Sequence, residues 1–367
     1  MSNRDYHLDN VKAFMLLCII AYHSMSALSY VKVPQWIPLE IHRLFLSMLS
    51  RCLGAFFLIS GFLCIPSSIP RGENFGSFNE YFQFLRRRSR SILLPYLLWN
   101  FIYILFFLLG SYILPMMKSK VSELALDTPS GFFCALTGLW GRPADAPLWY
   151  LRNLFVYTLT LPVFLWFSRN LMRFILLLLG GILIFLCKIP IPSWLSMYLL
   201  PYAILSFGAG VFLRHSISLR ERERERENIY LPAKYSTLTI LLTISYLLLS
   251  FRVISWPPLV SIFQGFTGEY LFLIPLWLTI AKRMDFGPES YFHRFFVQPS
   301  FYLFASHGLF CSLALRILAP KIPESSFHAI ILCSIYTLGG VIGIYLSYSF
   351  LLQFFPKTLS YLSGGRK

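Results

Sequence analysis

The sequence predicts an all-α fold, a polytopic transmembrane bundle of about ten spans with both termini in the cytoplasm and a single domain over residues 1–367. Three observations predict it. Hydrophobic residues make up 56% of the chain and charged residues only 13%, which excludes a soluble globular domain. Apolar stretches long enough to span a bilayer run over 12–31, 42–65, 92–115, 149–167, 172–188, 195–213, 236–251, 259–281, 299–318 and 327–352. The basic residues gather between these stretches. With a cytoplasmic N-terminus, the inner segments hold 21 of the 32 Lys and Arg, as the positive-inside rule requires. The net charge of +16 is therefore read as topology and contact with membrane lipid headgroups, and nucleic acid is not an expected partner.

The first helix is expected over about Asp5 to Ser29, around the run LDNVKAFMLLCIIAYHS. It carries Lys12 near its start and His23 deep in the apolar stretch. Eleven residues at about 100° each make three turns plus roughly 20°, so both side chains share a face, about 16 Å apart along the axis. A cation and an imidazole on one stripe can hold the two ends of a long ligand. An ionisable side chain at that depth points to function, and the competing reading is a hydrogen bond to a neighbouring helix. Ala27-Leu28-Ser29 looks like a signal-peptidase site, but the many spans that follow favour an uncleaved helix.

The second span ends GAFFLISGFL, where Ser60-Gly61 allows close approach of a helix or a ligand. Arg51, in the same stretch, needs a partner, an aqueous cavity or a snorkelling route. Next comes FLRRRSRSILLPY. Arg87 and Arg90, spaced i,i+3, form either a clamp for phosphate or a positive-inside flank. In PLWYLRNL, Trp149 and Tyr150 suit the membrane interface, and Arg152 can snorkel or hydrogen-bond a polar ligand. The inner run Arg220 to Glu227 alternates Arg and Glu and neutralises itself at i,i+3 spacing. Glu269 is the clearest intramembrane acid, either an ion-pair partner or part of a proton path. SFYLFASHGLF places His307 in the ninth span, as a structural hydrogen bonder or a pocket residue. His7, His42, His215, His293 and His328 fall near span ends or in loops and carry no assignment.

Seven cysteines, odd in number and without CxxC spacing, read as small apolar residues rather than a disulfide or metal framework, so no metal is expected. Nucleophile elbows, phosphate loops, HExxH and dinucleotide glycine fingerprints are absent.

Taken in order, these stretches resemble the integral-membrane acyltransferase 3 family. Lys12 and His23 are similar to its opening basic-residue-then-histidine pattern, where many members have Arg at the first position. FFLISGF resembles its FFxxSGF, Arg87 and Arg90 its RxxR element, and PLWYL and SFYLFASH its later signatures. The resemblance spans about residues 5 to 310 and implies a stand-alone membrane module. It implies transfer of an acyl group, usually acetyl, from cytoplasmic acetyl-CoA or another acyl-CoA to a hydroxyl of a surface glycan or its lipid-linked precursor. In that reading His23 is the catalytic residue, Lys12, Arg87 and Arg90 bind the cofactor, and the setting is a bacterial inner membrane. A neutral imidazole, with an ordinary pKa near 6.5, suits general-base work on a hydroxyl. Arg51, Arg152 or the Ser60-Gly61 backbone would stabilise the oxyanion.

Two other readings compete. A proton-coupled glycan or lipid transporter or flippase would use His23 and Glu269 as relays and need no coenzyme A. A non-catalytic subunit of a polysaccharide assembly complex would tolerate replacement of His23. The topology is open to direct test. A reporter fused after Lys367 or inserted near Arg224 should lie in the cytoplasm and one near Thr128 outside, and a cytoplasmic Thr128 would break the ten-span scheme.

Overall fold

A computed structural model describes residues 6–26, 52–66, 69, 74–186, 198, 201–216, 286–318 and 326–365. Every regular element among them is helical. One helical run, Phe78–Ile113, is long and apolar enough to cross a membrane. The pair Ala146–Leu159 and Leu161–Phe167 would make a second if the bent pair is one span. The break between its halves falls just before Pro162, which lacks the N–H that would carry the ladder through. The expected spans over 236–251 and 259–281, and residues 42–51 of that over 42–65, lie outside the described residues.

The residues sort into two compact units. The first comprises Met1–Ile19, Arg43–Tyr81 and Leu159–Val297; the second comprises Ile20–His42, Phe82–Thr158 and Gln298–Lys367.

In the first unit, helix α1 (Tyr6–Ser26) contributes its opening turns and α2 is Cys52–Cys64. Val11, Met15 and Ile19, at helical spacing, form a core with Ala55, Leu58 and Ile59 of α2. Helix α3 (Phe78–Arg88) begins here and α4 (Leu94–Ile113) continues it in the second unit through a π-helical turn, Ser89–Leu93. The principal packing in the first unit sets α2 against the later helix Pro201–Ser216. Two glycines make that approach possible. A Cβ on Gly61 would collide with the Phe207 carbonyl, and one on Gly210 with the Leu58 carbonyl. Small residues at such a crossing let two backbones touch, which is how helices gain dispersion energy without a hydrophobic drive between them. Leu161–Phe167 and Leu171–Leu186 pack on the same partner, with Phe174 stacked on Phe212 at 4.3 Å and 8°. Where these helices end, the Ser168 hydroxyl donates to the Leu165 carbonyl (2.9 Å) and meets His215 Nδ1 at 2.6 Å. With the hydroxyl proton so committed, Nδ1–H is the donor, and His215 is a buried tie between helix ends.

The second unit is built on α4. Helices α5 (Lys118–Glu123) and α6 (Pro129–Thr137) fold back on it, and α7 (Trp149–Leu159) follows a short turn, Ala146–Leu148. Thr128 caps α6, its Oγ1 accepting from Gly131 N–H at 3.0 Å, with Pro129 in the first turn. Gly138 ends α6 with φ +63°, a left-handed conformation that favours glycine. Tyr103, Ile104 and Phe107 of α4 form a core with Met117, Leu126, Ala135 and Ala144. Ser300–Leu318 packs on Ser326–Phe354 and on the Ala146–Leu148 turn, and Pro356–Leu362 returns to α4. There Trp99 Nε1 donates to the Leu362 carbonyl at 3.1 Å, and Trp99 and Tyr302 meet edge to face at 5.2 Å.

The glycine crossing in the first unit yields a stability prediction. Gly61→Ala should lower thermal stability in detergent by about 1–3 kcal/mol, because the added methyl pushes two backbones apart. An unchanged melting temperature would show that the helices separate without cost.

Candidate functional site

Helix α1 runs unbroken from Tyr6 to Ser26 and carries both Lys12 and His23. No helix breaker interrupts LDNVKAFMLLCIIAYHS, and its apolar side chains hold the helix against its neighbours. The two ends of the helix fall in different units, and each is described in its own.

His23, in the last turn of α1, is half-buried and belongs to the second unit. Its ring lies 5.2 Å from the ring of His307, at 43°, and 5.2 Å from Tyr22 in an edge contact. His307 sits in the second turn of Ser300–Leu318 and is fully buried. Its Nδ1 meets the Phe304 carbonyl one helical turn earlier. A carbonyl only accepts, so Nδ1 carries the proton and Nε2 keeps a free lone pair. Nε2 is buried and has no hydrogen-bond partner among the described residues. The Phe304 ring borders His307 at 5.7 Å and packs edge to face on Tyr150 at 5.6 Å. Tyr150 is 6% exposed, its ring packed on Phe304.

Arg152 is buried, and its guanidinium is committed to the protein. Nη1 donates to the carbonyls of Gly138 (2.6 Å) and Gly141 (2.8 Å), and Nε to Asn153 Oδ1 (3.2 Å). A buried cation needs such partners, so the arginine clamps the turn between α6 and α7. Trp149, next in line, is half-buried.

The clamped turn places Asp145. Its N–H donates to Asn100 Oδ1 at 3.0 Å, while Asn100 Nδ2 donates to the Tyr96 carbonyl at 2.9 Å. The Asp145 side chain lies against Gly308, the residue after His307. Burial pushes its carboxyl well above the usual carboxylate range, opposed by the field of Lys120. Reading the sequence passed over Asp145, since ADAPL looks like solvated loop. Pro147 and the aromatic residues that follow were the available sign that this turn is packed.

The remaining predicted residues divide as follows. Lys12 is half-buried in the first unit and ion-paired to Asp9 at 2.6 Å, one turn back on the same face. Ser60 is half-buried beside Gly61, whose open face is occupied by the backbone of Pro201–Ser216. Arg87 and Arg90 are exposed at the start of the Phe78–Ile113 run. Arg51 and Glu269 lie outside the described residues. Among the described residues no three His, Cys, Asp or Glu side chains cluster as a metal site.

The arrangement therefore offers a paired imidazole site in an aromatic wall, with exposed guanidiniums elsewhere in the same unit. No curated protein and no solved structure matches the chain at a significant level. The acyltransferase-domain family model Acyl_transf_3 matches residues 5–363, nearly the whole chain, and the protein belongs to this acyltransferase family.

Proposed function

We propose that the protein is a membrane O-acyltransferase that moves an acyl group, in the simplest case acetyl, from acyl-CoA to a hydroxyl of a surface glycan or a lipid-linked glycan precursor. The observation that carries this reading is the pairing of His23 with His307 at 5.2 Å in a chain of the acyltransferase family. His23 takes the acceptor's hydroxyl proton as the oxygen attacks the thioester carbonyl. The C–O bond forms, the C–S bond breaks, and the proton passes from the imidazolium to the departing thiolate. His307, with its proton anchored at Phe304, keeps Nε2 as an acceptor in the ring next to His23, where charge develops.

Arg87 and Arg90 support a coenzyme-binding role by their place on the helical run. Asn100, which holds Asp145 beside the His307 turn, is ten residues beyond Arg90. That is about 15 Å along the axis, close to the reach of a pantetheine arm. Guanidiniums holding the phosphates would leave the thioester near the histidines. The reading favours an acceptor arriving on the side of Trp149, with the acyl group crossing the membrane and the coenzyme staying inside.

Mass spectrometry of the host's surface glycans, with and without this protein, tests the function directly. A gain of one acyl mass fixes the reaction class and the donor together, and no change in any glycan would reject it. His23→Ala should leave the protein inserted and abundant while lowering transfer at least about 100-fold. Residual activity above about a hundredth of wild type would remove His23 as the general base.

Arg87→Ala and Arg90→Ala should each weaken acyl-CoA binding by about tenfold, the lower end for charge-assisted contacts because both side chains are exposed. The double variant should be worse than either, and lysine should restore only part, since a point charge lacks the guanidinium fork. Normal acyl-CoA binding by the double variant, measured by isothermal titration, would reduce the cluster to a topology signal.

A further inference from the structure

Three buried side chains of the second unit have a polar atom without a hydrogen-bond partner among the described residues, and two of them belong to the packing of Ser300–Leu318 on the Asp145 turn. One is His307 Nε2 and the other is the Asp145 carboxyl, through both oxygens. Natural structures rarely leave such groups unmet, because each gives up hydration without a replacement. Two of them within one helix–turn contact therefore call for an explanation.

Asp145 did not arrive there by accident of a loose loop. Its backbone is tied to Asn100, the turn that carries it is held by Arg152, and Ala144 N–H donates to the Ala135 carbonyl at 2.8 Å. Its side chain is 1% exposed. A Cβ on Gly308 would overlap Asp145 Oδ1 and lie 3.0 Å from Pro147 Cδ, so the missing side chain at position 308 is what makes room for the carboxyl. Lys120, the cation whose field reaches it, is bound to Glu123 at 2.7 Å. The protein thus fixes a carboxyl against Gly308, the residue after His307, with no hydrogen-bond partner among the described residues.

We propose that Asp145 is an acceptor-binding residue, using the carboxyl seated in the Gly308 notch to hydrogen-bond a hydroxyl of the acceptor beside His307 Nε2. The proposal rests on the acyl-transfer reading and adds to it the residue that reads the acceptor. Burial raises the pKa of the carboxyl, and in its protonated form it offers one O–H donor and one carbonyl acceptor, the same pair of functions that a hydroxyl presents. Because the group works as a hydrogen bonder and not as a charge, an amide of the same shape can replace it and an apolar group cannot.

The test uses the full chain reconstituted in lipid, acetyl-CoA as donor, and glycolipid extracted from a host strain lacking the protein as acceptor. Asp145→Leu should raise the apparent KM for the glycolipid about tenfold or more and leave the KM for acetyl-CoA unchanged. Asp145→Asn should restore most of that loss. In detergent, Asp145→Leu should melt at or above the wild-type temperature, since it removes an unmet polar group from the interior. Unchanged KM values in Asp145→Leu would overturn the proposal. So would an Asn variant as impaired as Leu, which would mean that charge is required, or a Leu variant that melts lower while Asn does not, which would make the residue structural. If the wild-type protein acylates nothing, the acyl-transfer reading falls and this proposal with it; wild-type transfer with an indifferent Asp145 sinks this proposal alone.

Discussion

The second unit depends on one buried guanidinium. Arg152 reaches from α7 to the Gly138 and Gly141 carbonyls, and those bonds fold the chain between α6 and α7 into a fixed turn. The carbonyls at the end of α6 lack helical partners and would otherwise need water. Arginine meets them with a rigid fork and keeps its charge whatever the local polarity. Gly138 is required twice. Its backbone is left-handed, and a Cβ there would stand 2.7 Å from the Tyr96 hydroxyl and 3.1 Å from Arg152 Nη1. Tyr96 in turn donates to the Thr137 carbonyl at 2.8 Å. From this knot the chain runs to Asp145 and its bond to Asn100, then to the turn that packs on Ser300–Leu318. The histidine site inherits its position from that sequence of contacts.

What could be read beforehand was what is encoded locally. The first helix was legible because its apolar run is long enough to span a bilayer, with Lys12 and His23 set on one face by helical spacing. The close approach at Gly61 was legible from residue size, but not its occupant, since nothing in FLISGF names Phe207 some 146 positions later. The burial of Arg152 and Tyr150 was not legible, for one reason. Both types are at home in the membrane interface, and only the tertiary packing of Phe304 and of the Gly138 turn draws them inside. His23 and His307 each stood out as an imidazole in an apolar stretch, whereas their meeting is a fact of packing between residues 284 apart. Asp145 left no local trace, because an acid in a Pro-containing connection ordinarily faces water.

The π-helical turn Ser89–Leu93 belongs to the same argument about position. It joins α3 to α4 in one run, Phe78–Ile113, of 36 residues. At 1.5 Å per residue that run measures about 54 Å, well beyond a hydrocarbon core of about 30 Å. Part of it must therefore lie outside the core, and its hydrophilic part is the α3 end, FNEYFQFLRRR. One wide turn at residues 89–93 also shifts the facing of every side chain before it relative to those after it. Arg87 and Arg90 are exposed at this end, while Tyr96, Trp99, Asn100 and Tyr103 on the apolar side are buried against the unit's other helices. A single helical run thus grades from solvated guanidiniums to the packed neighbourhood of Asp145. For a ligand with a charged end and a long neutral arm, that gradient sets direction: the anionic end stays with the arginines because it cannot be desolvated cheaply, and the neutral arm can follow the helix inward. On the proposed acyl-CoA reading, the chemistry would fall where the water is gone and the imidazoles are, and the length of the helix would keep the two ends of the donor in environments so different.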